Sequence, residues 1–574
     1  MSATGMRFAK PAAPRNQLVL CAPSLDELVA PDAEVRVLAC LLEDVDWAPW
    51  ELEYKGFGQP PIHPRYMAGA ILFGLLKRFR SSRQLEEAAR KHLDFIWLLE
   101  GFTPDHSTFA VFRVRHKKAI RALHRELAGK LVMRRGEELL RMLVDGTRLR
   151  ADSDRHGMRR ASTMELIIDE LERRLNELAA NDALLAHEAR DARASAPQAH
   201  EEALARIEKD MARLEAQRTK YRKALEVARE RDAQARKHDG RNARPARVPV
   251  TDPDAQVTPN KEGGYAPNYT PVAAVEPVTG AIVYGDVLSD SDEAGAVQPA
   301  VEAMEALTGS APEAVLADGN FATGEVLASL DANGIEAYMP TRSASPPDNP
   351  ALRPDPAAPV PVKDRQRLPK RGDHLARTAF VYDAGANLYR CPMGHALKPF
   401  KNSKSKGVSC THYQGSECPG CPLARECIRG RNPMRTIVRD EYEDLREDAD
   451  RRMATDEGKA LYRTRAPGIE GVFGIIKAGL GIRRFTVRGL DKVRTEWAWI
   501  CTAYNLKKLL AREARTPTGR TQPPRAPLSN ALSPSAHAPG HPGTAHFALR
   551  TAARAVLRLI GHLMPQSSPA PHKT

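Results

Sequence analysis

The sequence predicts an α/β core assembled from separated segments, preceded by an all-helical region and interrupted by two insertions. Three observations carry this. Two distant apolar runs of strand type, RMLVDG and VLADG, each end in Asp-Gly. Between them lies a long stretch whose apolar residues step by three and four. Five of the eight cysteines then cluster between 391 and 427. A chain of 574 residues exceeds what one core needs, so several folded units are expected.

The helical region covers 1–140. The run HPRYMAGAILFGLLKRFRSSRQLEEAARKHLDFIWLLEG keeps helical periodicity, with Pro64 suited to a first turn and Ser81-Ser82 to a new N-cap. In TPDHSTFAVFRVRHKKAIRAL, Asp105 or Ser107 can cap a helix whose surface is expected to carry Arg113, Arg115, His116, Lys117, Lys118 and Arg121. Such a helix suits DNA binding, although a basic helix can equally be a solvated face.

The α/β core is expected over 141–161, 250–340 and 455–512. Residues 141–150 read as a strand ending at Asp145-Gly146. YTPVAAVE and AIVYGDVLS form a hairpin around Pro277-Val278-Thr279-Gly280. A helix over 296–308, a strand ending at Asp318, a helix near 323–333, the strand IEAYMP, and helices near 469–480 and 493–512 complete it. The first insertion, 162–240, is an antiparallel helical hairpin with a seam of Met164, Ile168, Leu171, Leu175 and Leu178 against Ile207, Met211, Leu214, Tyr221 and Leu225. The second, 341–454, holds the cysteines in basic, polar surroundings with few apolar residues. Residues 513–574 read as a disordered tail carrying an amphipathic helix at 546–563.

Composition narrows the function. Hydrophobic residues are 42% and charged residues 28%, so folded cores are expected. The formal charge of +14 favours an anionic polymer as partner. The first residues lack an apolar signal core and no run of 18 apolar residues occurs, so neither secretion nor a membrane partner is expected. Clustered cysteines fit a reduced cytosolic protein better than a disulfide framework.

Carboxylates at strand ends can converge although far apart in sequence. Glu470 heads a helix that also presents Lys477, two turns on and on the same side. Convergent carboxylates repel one another and suit hard cations such as Mg²⁺ or Mn²⁺. By themselves, these residues can equally be turn and surface groups, since Asp-Gly is common in turns.

The motifs taken together resemble the DDE transposases of bacterial insertion sequences, in the branch with an N-terminal helical transposase domain. The similar segments are residues 63–113, LVDGTRLRADS (143–153), the hairpin region 251–290, VLADGNF (315–321) and the stretch YRTRAPGIEGVFGIIK into 510. They extend over most of 10–510. The resemblance implies a ribonuclease-H-like α/β catalytic core with catalytic Asp145, Asp318 and Glu470 holding two Mg²⁺ (or Mn²⁺) ions. It maps a Tyr, Arg, Glu, Lys signature onto Tyr462, Arg465, Glu470 and Lys477, with Lys477 catalytic and both Arg465 and Lys477 contacting DNA. The gap from Arg465 to Glu470 is one residue longer than in related branches. After Asp318 the family favours a Gly-Tyr pair one residue later, whereas this chain has Gly319-Asn320-Phe321.

The implied activity is binding of the element's terminal inverted repeats, followed by strand cleavage and transfer into target DNA. The implied setting is a homodimer in the bacterial cytoplasm, at the nucleoid when DNA-bound. The DNA-binding candidates are Arg113, Arg115, Lys117 and Lys118. A related nuclease that does not join strands, or a DNA-binding regulator derived from a transposase, are the alternatives. Cys418 and Cys421 form a C-x₂-C pair. With Cys391 and Cys427 they are candidate ligands for one structural Zn²⁺; Cys391-Pro-Met-Gly-His395 is the candidate for the other half-site, with Cys410 or His412 as substitutes for a missing ligand. Reduced thiols packed in a small insertion are the other reading.

Overall fold

The computed structural model describes residues 24–54, 60–132, 140–191, 197–259, 263–288, 293–341, 344–346, 348–405, 407–428 and 432–513. The tail and helix expected at 513–574 lie almost wholly outside these residues. The described residues divide into two compact units: those up to Phe73 together with Ser81–Ala110 belong to one, Gly74–Arg80 and Val111–Ala511 to the other.

The first unit is helical. It contains α1 (Glu34–Glu43), most of α2 (Pro64–Leu76), α3 (Ser82–Lys91), α4 (Leu93–Leu98) and the start of α5 (His106–Arg115). Ser81 caps α3 in a reciprocal box: its hydroxyl accepts from the Gln84 N–H at 3.2 Å, and its own N–H donates to the Gln84 side chain at 3.0 Å. Asp105 accepts the Thr108 N–H at 2.7 Å and so starts α5. Leu38, Leu72, Phe73, Phe95 and Leu99 are buried, and the Phe73 and Phe95 rings pack 5.1 Å apart.

The second unit includes the end of α5 and all of α6 (Lys117–Val132). Its core is a sheet of β1 (Arg141–Gly146), β2 (Tyr265–Glu276), β3 (Ala281–Leu288), β4 (Ala314–Leu316) and β5 (Glu336–Tyr338). These strands lie in the order β3-β2-β1-β4-β5; short strands at Leu149–Arg150 and Gln256–Pro259 also pair with β2. β2 is antiparallel to both neighbours, whereas β1, β4 and β5 are parallel. At the β2–β3 turn the Glu276 carboxylate accepts the N–H groups of Val278 and Thr279, both at 2.7 Å, and Gly280 takes a φ of +68°.

Between β1 and β2 run α7 (Ala161–Asp191) and α8 (Pro197–Asp239). Met164 and Ile168 pack with Leu225 and Ala228, and Leu171 and Leu175 with Leu214. Early residues of one helix thus meet late residues of the other, an antiparallel pair. The ion pairs Arg222–Glu172 at 2.5 Å and Arg229–Glu165 at 2.7 Å join the same two helices.

Helices α9 (Val297–Thr308) and α10 (Gly324–Ala332) connect β3, β4 and β5. The tract after β5 departs from expectation. It forms an antiparallel five-stranded sheet, β6 (Val381–Asp383), β7 (Leu388–Arg390), β8 (Ala396–Ser405), β9 (Val408–Gly415) and β10 (Thr436–Asp440). It also buries a core of its own, including Leu375, Phe380, Tyr389, Leu397, Tyr413 and Ile437. The few apolar residues expected of this segment thus suffice for a core, because strand pairing gathers residues that are scattered in the sequence.

The chain closes with α11 (Glu443–Ala454), α12 (Asp456–Arg463), α13 (Arg465–Gly474) and α14 (Leu490–Glu513). α14 lies across the β2–β3 hairpin. The Asn505 side chain accepts from the Ile282 N–H at 2.9 Å and donates to the Ile282 carbonyl at 2.8 Å, so it pairs with the edge strand as a neighbouring strand would. No helix among the described residues is long and apolar enough to cross a membrane.

Candidate functional site

β1 and β4 pair with Leu143 opposite Leu316. Carried two residues further, past the last residue of β4, the same register would set Asp145 opposite Asp318, and the charge of Asp318 does act on the Asp145 carboxyl. Each loop then turns sharply. The Gly146 N–H donates to Asp145 Oδ1 at 2.9 Å, and the Asn320 N–H donates to Asp318 Oδ1 at 2.8 Å. Gly319 is required by a close approach, since an added Cβ would stand 2.8 Å from the Pro340 carbonyl oxygen. Phe321 is fully buried, so the aromatic position after this motif is used for packing.

Alternate residues of a strand share a face. α13 lies on the β1 face that carries Leu143 and Asp145, because an added Cβ on Gly468 would run into the Leu143 side chain. From that seat Arg465 donates through Nη1 to Asp145 Oδ2 at 3.1 Å, and its guanidinium sits 5.7 Å from the centre of the Tyr462 ring. Burial raises the Asp145 carboxyl above its ordinary range; Arg465 and the Gly146 N–H oppose this, and the charge of Asp318 adds to it.

The helical segment does not continue as ideal α-helix. Ile475–Gly479 is a π turn, which breaks the two-turn spacing assumed between Glu470 and Lys477. Lys477 Nζ donates to the Thr147 hydroxyl at 2.5 Å, two residues beyond Asp145. Glu470 is exposed and makes no hydrogen bond or ion pair among the described residues. Arg78 holds the end of the π turn by donating to the carbonyls of Ala478 at 3.0 Å and Gly479 at 2.9 Å.

The structure thus brings Asp145, Asp318, Arg465 and Lys477 to one end of the sheet, with Glu470 on the helix packed above. Thr147 was missed, although it stands in the same DGT motif. Glu293 was missed as well: its carboxylate lies so close to Gly146 that an added Cβ would be 2.6 Å from Oε1. Among the described residues, no three His, Cys, Asp or Glu side chains are drawn together as they would be around an ion.

The basic helix region needs correction. Arg113 is only 7% exposed; it donates to Glu496 at 3.2 Å and to the Arg80 carbonyl at 2.9 Å. A guanidinium so enclosed braces the fold and cannot reach a phosphate. His116 is also buried rather than on the surface, and burial lowers its pKa to about 4. Lys117 pairs with Asp491. Arg115 and Lys118 are exposed. Glu496, which also accepts the Thr486 N–H at 2.8 Å, had no signal in the sequence beyond its place in a helix.

Asp252 and Asp254, in the loop before β2, are structural. Asp252 accepts from the Tyr269 hydroxyl at 2.8 Å and the Gly489 N–H at 3.0 Å, while Asp254 accepts the Leu490 N–H at 2.8 Å at the start of α14.

Cys391, Cys418, Cys421 and Cys427 line one small cavity of about 30 Å³. Cys410 does not join them; it lies on β9 opposite Asp440. His412 is engaged by the Ser403 hydroxyl at 2.7 Å.

Two family models match the chain. Residues 390–510 match a transposase DDE domain, a span that contains Arg465, Glu470, Lys477 and the five clustered cysteines. Residues 23–115 match a transposase domain (DUF772). No curated protein matches the chain.

Proposed function

We infer that this chain, a DDE transposase of the insertion-sequence type, binds the terminal inverted repeats of its element, cuts the DNA there and joins the freed ends to target DNA. The observation that carries the reading is the pairing register that sets Asp145 beside Asp318, with Arg465 and Lys477 at the same sheet end. The strand order β3-β2-β1-β4-β5, three antiparallel strands followed by two parallel ones, supports a ribonuclease-H-like core.

A divalent cation fits the donor set. Asp145 and Asp318 offer only hard carboxylate oxygens, and the charge of Asp318 adds to the upward push on the Asp145 carboxyl, which a cation would relieve. Asp145, Asp318 and Glu470 would hold two Mg²⁺ or Mn²⁺ ions. When bound, such ions supply Lewis acidity to the phosphate and to the attacking and leaving oxygens. Arg465 orients the Asp145 carboxylate and balances its charge. Lys477, held at Thr147, offers an ammonium to a DNA phosphate beside the scissile bond. Arg115 and Lys118 on the exposed side of their helices are candidates for backbone contacts. A dimer follows from the need to work on two ends at once.

The test is incubation of the full chain with Mg²⁺ and a DNA fragment bearing the inverted repeats that flank its reading frame, together with a target plasmid. The expected products are cuts at the repeat ends and covalent joining to the plasmid. Cutting without joining would favour a nuclease. Binding without cutting would favour a regulator.

A further inference from the structure

The five-stranded unit between β5 and α11 carries chemistry that DNA cleavage does not use. Four cysteines reach one place from three separate segments. Cys391 follows β7 in the turn Cys-Pro-Met-Gly-His. There the Gly394 N–H donates to the Cys391 carbonyl at 2.9 Å, the Cys391 N–H donates to the His395 carbonyl at 2.9 Å, and Gly394 has a φ of +87°. Cys418 and Cys421 bracket a second tight turn: the Cys421 N–H donates to the Cys418 carbonyl at 3.2 Å, and Gly420 has a φ of +77°. Cys427 ends the short helix Ala424–Cys427 that follows.

Two knuckle turns and a helix end therefore face the same small cavity, whose lining also includes Met393 and Leu423. The Cys418 sulfur accepts a backbone N–H, donated by Arg435 at 3.4 Å. Such a donor favours a thiolate. Arg435 adds a cation at the cavity. It is 8% exposed, donates to the Cys427 carbonyl at 2.8 Å and to the Leu375 carbonyl at 3.2 Å, and its guanidinium lies 4.9 Å from the Phe380 ring centre.

We propose that Cys391, Cys418, Cys421 and Cys427 are the ligands of a structural zinc site that locks the two knuckle turns to the five-stranded unit. Soft thiolates in a closed, four-ligand set are the donors zinc takes in structural sites. On binding, each thiol gives its proton to solvent, and the resulting zinc tetrathiolate is a dianion beside the Arg435 guanidinium. The sulfurs surround the cavity without yet converging on its centre, so side-chain rotation completes the set. Because the unit already has an apolar core, the metal stiffens it and is not its sole source of stability. The proposal is independent of the cleavage reading, since it concerns a different set of residues.

The experiment is metal analysis of the full chain purified under reducing conditions without chelator, with circular dichroism as the check on folding. About one zinc per chain is expected. Exchange with Co²⁺ should give the visible absorption of tetrahedral, thiolate-rich cobalt, a readout that needs no variant. Cys418→Ser with Cys421→Ser should lose the metal, whereas Cys410→Ser, Cys501→Ser and His395→Ala should keep it. Folded wild-type protein without zinc would overturn the site. Retention of zinc in the Cys418/Cys421 variant, or its loss in His395→Ala, would overturn this ligand set.

Discussion

Arg465 and Asp145, 320 residues apart in the sequence, meet at 3.1 Å, with a guanidinium on a half-buried carboxylate. This pair joins the first strand of the sheet to the helix that bears Glu470, so it controls both the charge and the aim of Asp145. An Arg465→Ala variant leaves burial and Asp318 acting on that carboxylate unopposed by the guanidinium. A charge-assisted hydrogen bond is worth about 1.5–3 kcal/mol. Cleavage should therefore fall by about 10- to 100-fold. The acid limb of its pH profile should move to higher pH, because the Asp145 carboxyl rises further above its ordinary range. A profile unchanged in position would show that Arg465 does not act through Asp145.

Lys477 offers its charge at the end of β1. Replacing it by Ala should weaken binding to repeat ends and reduce the slope of log affinity against log salt by about one. End cleavage should drop with it. Equal affinity and an equal salt slope in wild type and variant would remove Lys477 from the DNA interface.

Arg113 and Lys118 should behave oppositely. Removing one partner of a buried pair costs about 3–5 kcal/mol, so Arg113→Ala should lower the melting temperature markedly through the stranded Glu496. Lys118→Ala, on an exposed position, should leave melting unchanged and flatten the salt dependence of DNA binding. Thermal unfolding and binding titrations on the two variants decide this. An Arg113 variant that melts normally and binds DNA poorly would reverse the assignment.

Two buried histidines predict a direction for acid stability. Burial lowers both His116 and His124 to about 4. In the unfolded chain each titrates near about 6.5. Between these values the unfolded state binds protons that the folded state refuses, so stability is full above about pH 6.5 and falls as pH drops towards 4. Denaturant unfolding across that window should show the decline, and His116→Gln with His124→Gln should flatten it. A double variant with the wild-type slope would assign the acid sensitivity to other groups.

Much of this arrangement could be read from sequence, and the failures have physical causes. The strands ending at Asp145 and Asp318 showed as apolar runs stopped by Asp-Gly, and the α7–α8 pair showed as a seam of Met164, Leu171 and Leu214. What brings the two aspartates together is strand register, which local pattern does not reveal. Arg113 looked like a surface cation because its partner, Glu496, lies on the last helix of the core. Lys477 was aimed by ideal helix spacing, and nothing in IIKAG announces a π turn. The core of the cysteine-bearing unit was missed because Tyr389, Leu397, Tyr413 and Ile437 sit one per strand and give no period to detect.

Asp145 offers the most direct test of the central claim. Asp145→Asn keeps the size of the side chain and removes its charge, so the strand end should remain folded. The measurement is cleavage of a repeat-end fragment with Mg²⁺ present, alongside binding of the same fragment. The account predicts that binding persists while cleavage is abolished. Cleavage by the variant at the wild-type rate would contradict it.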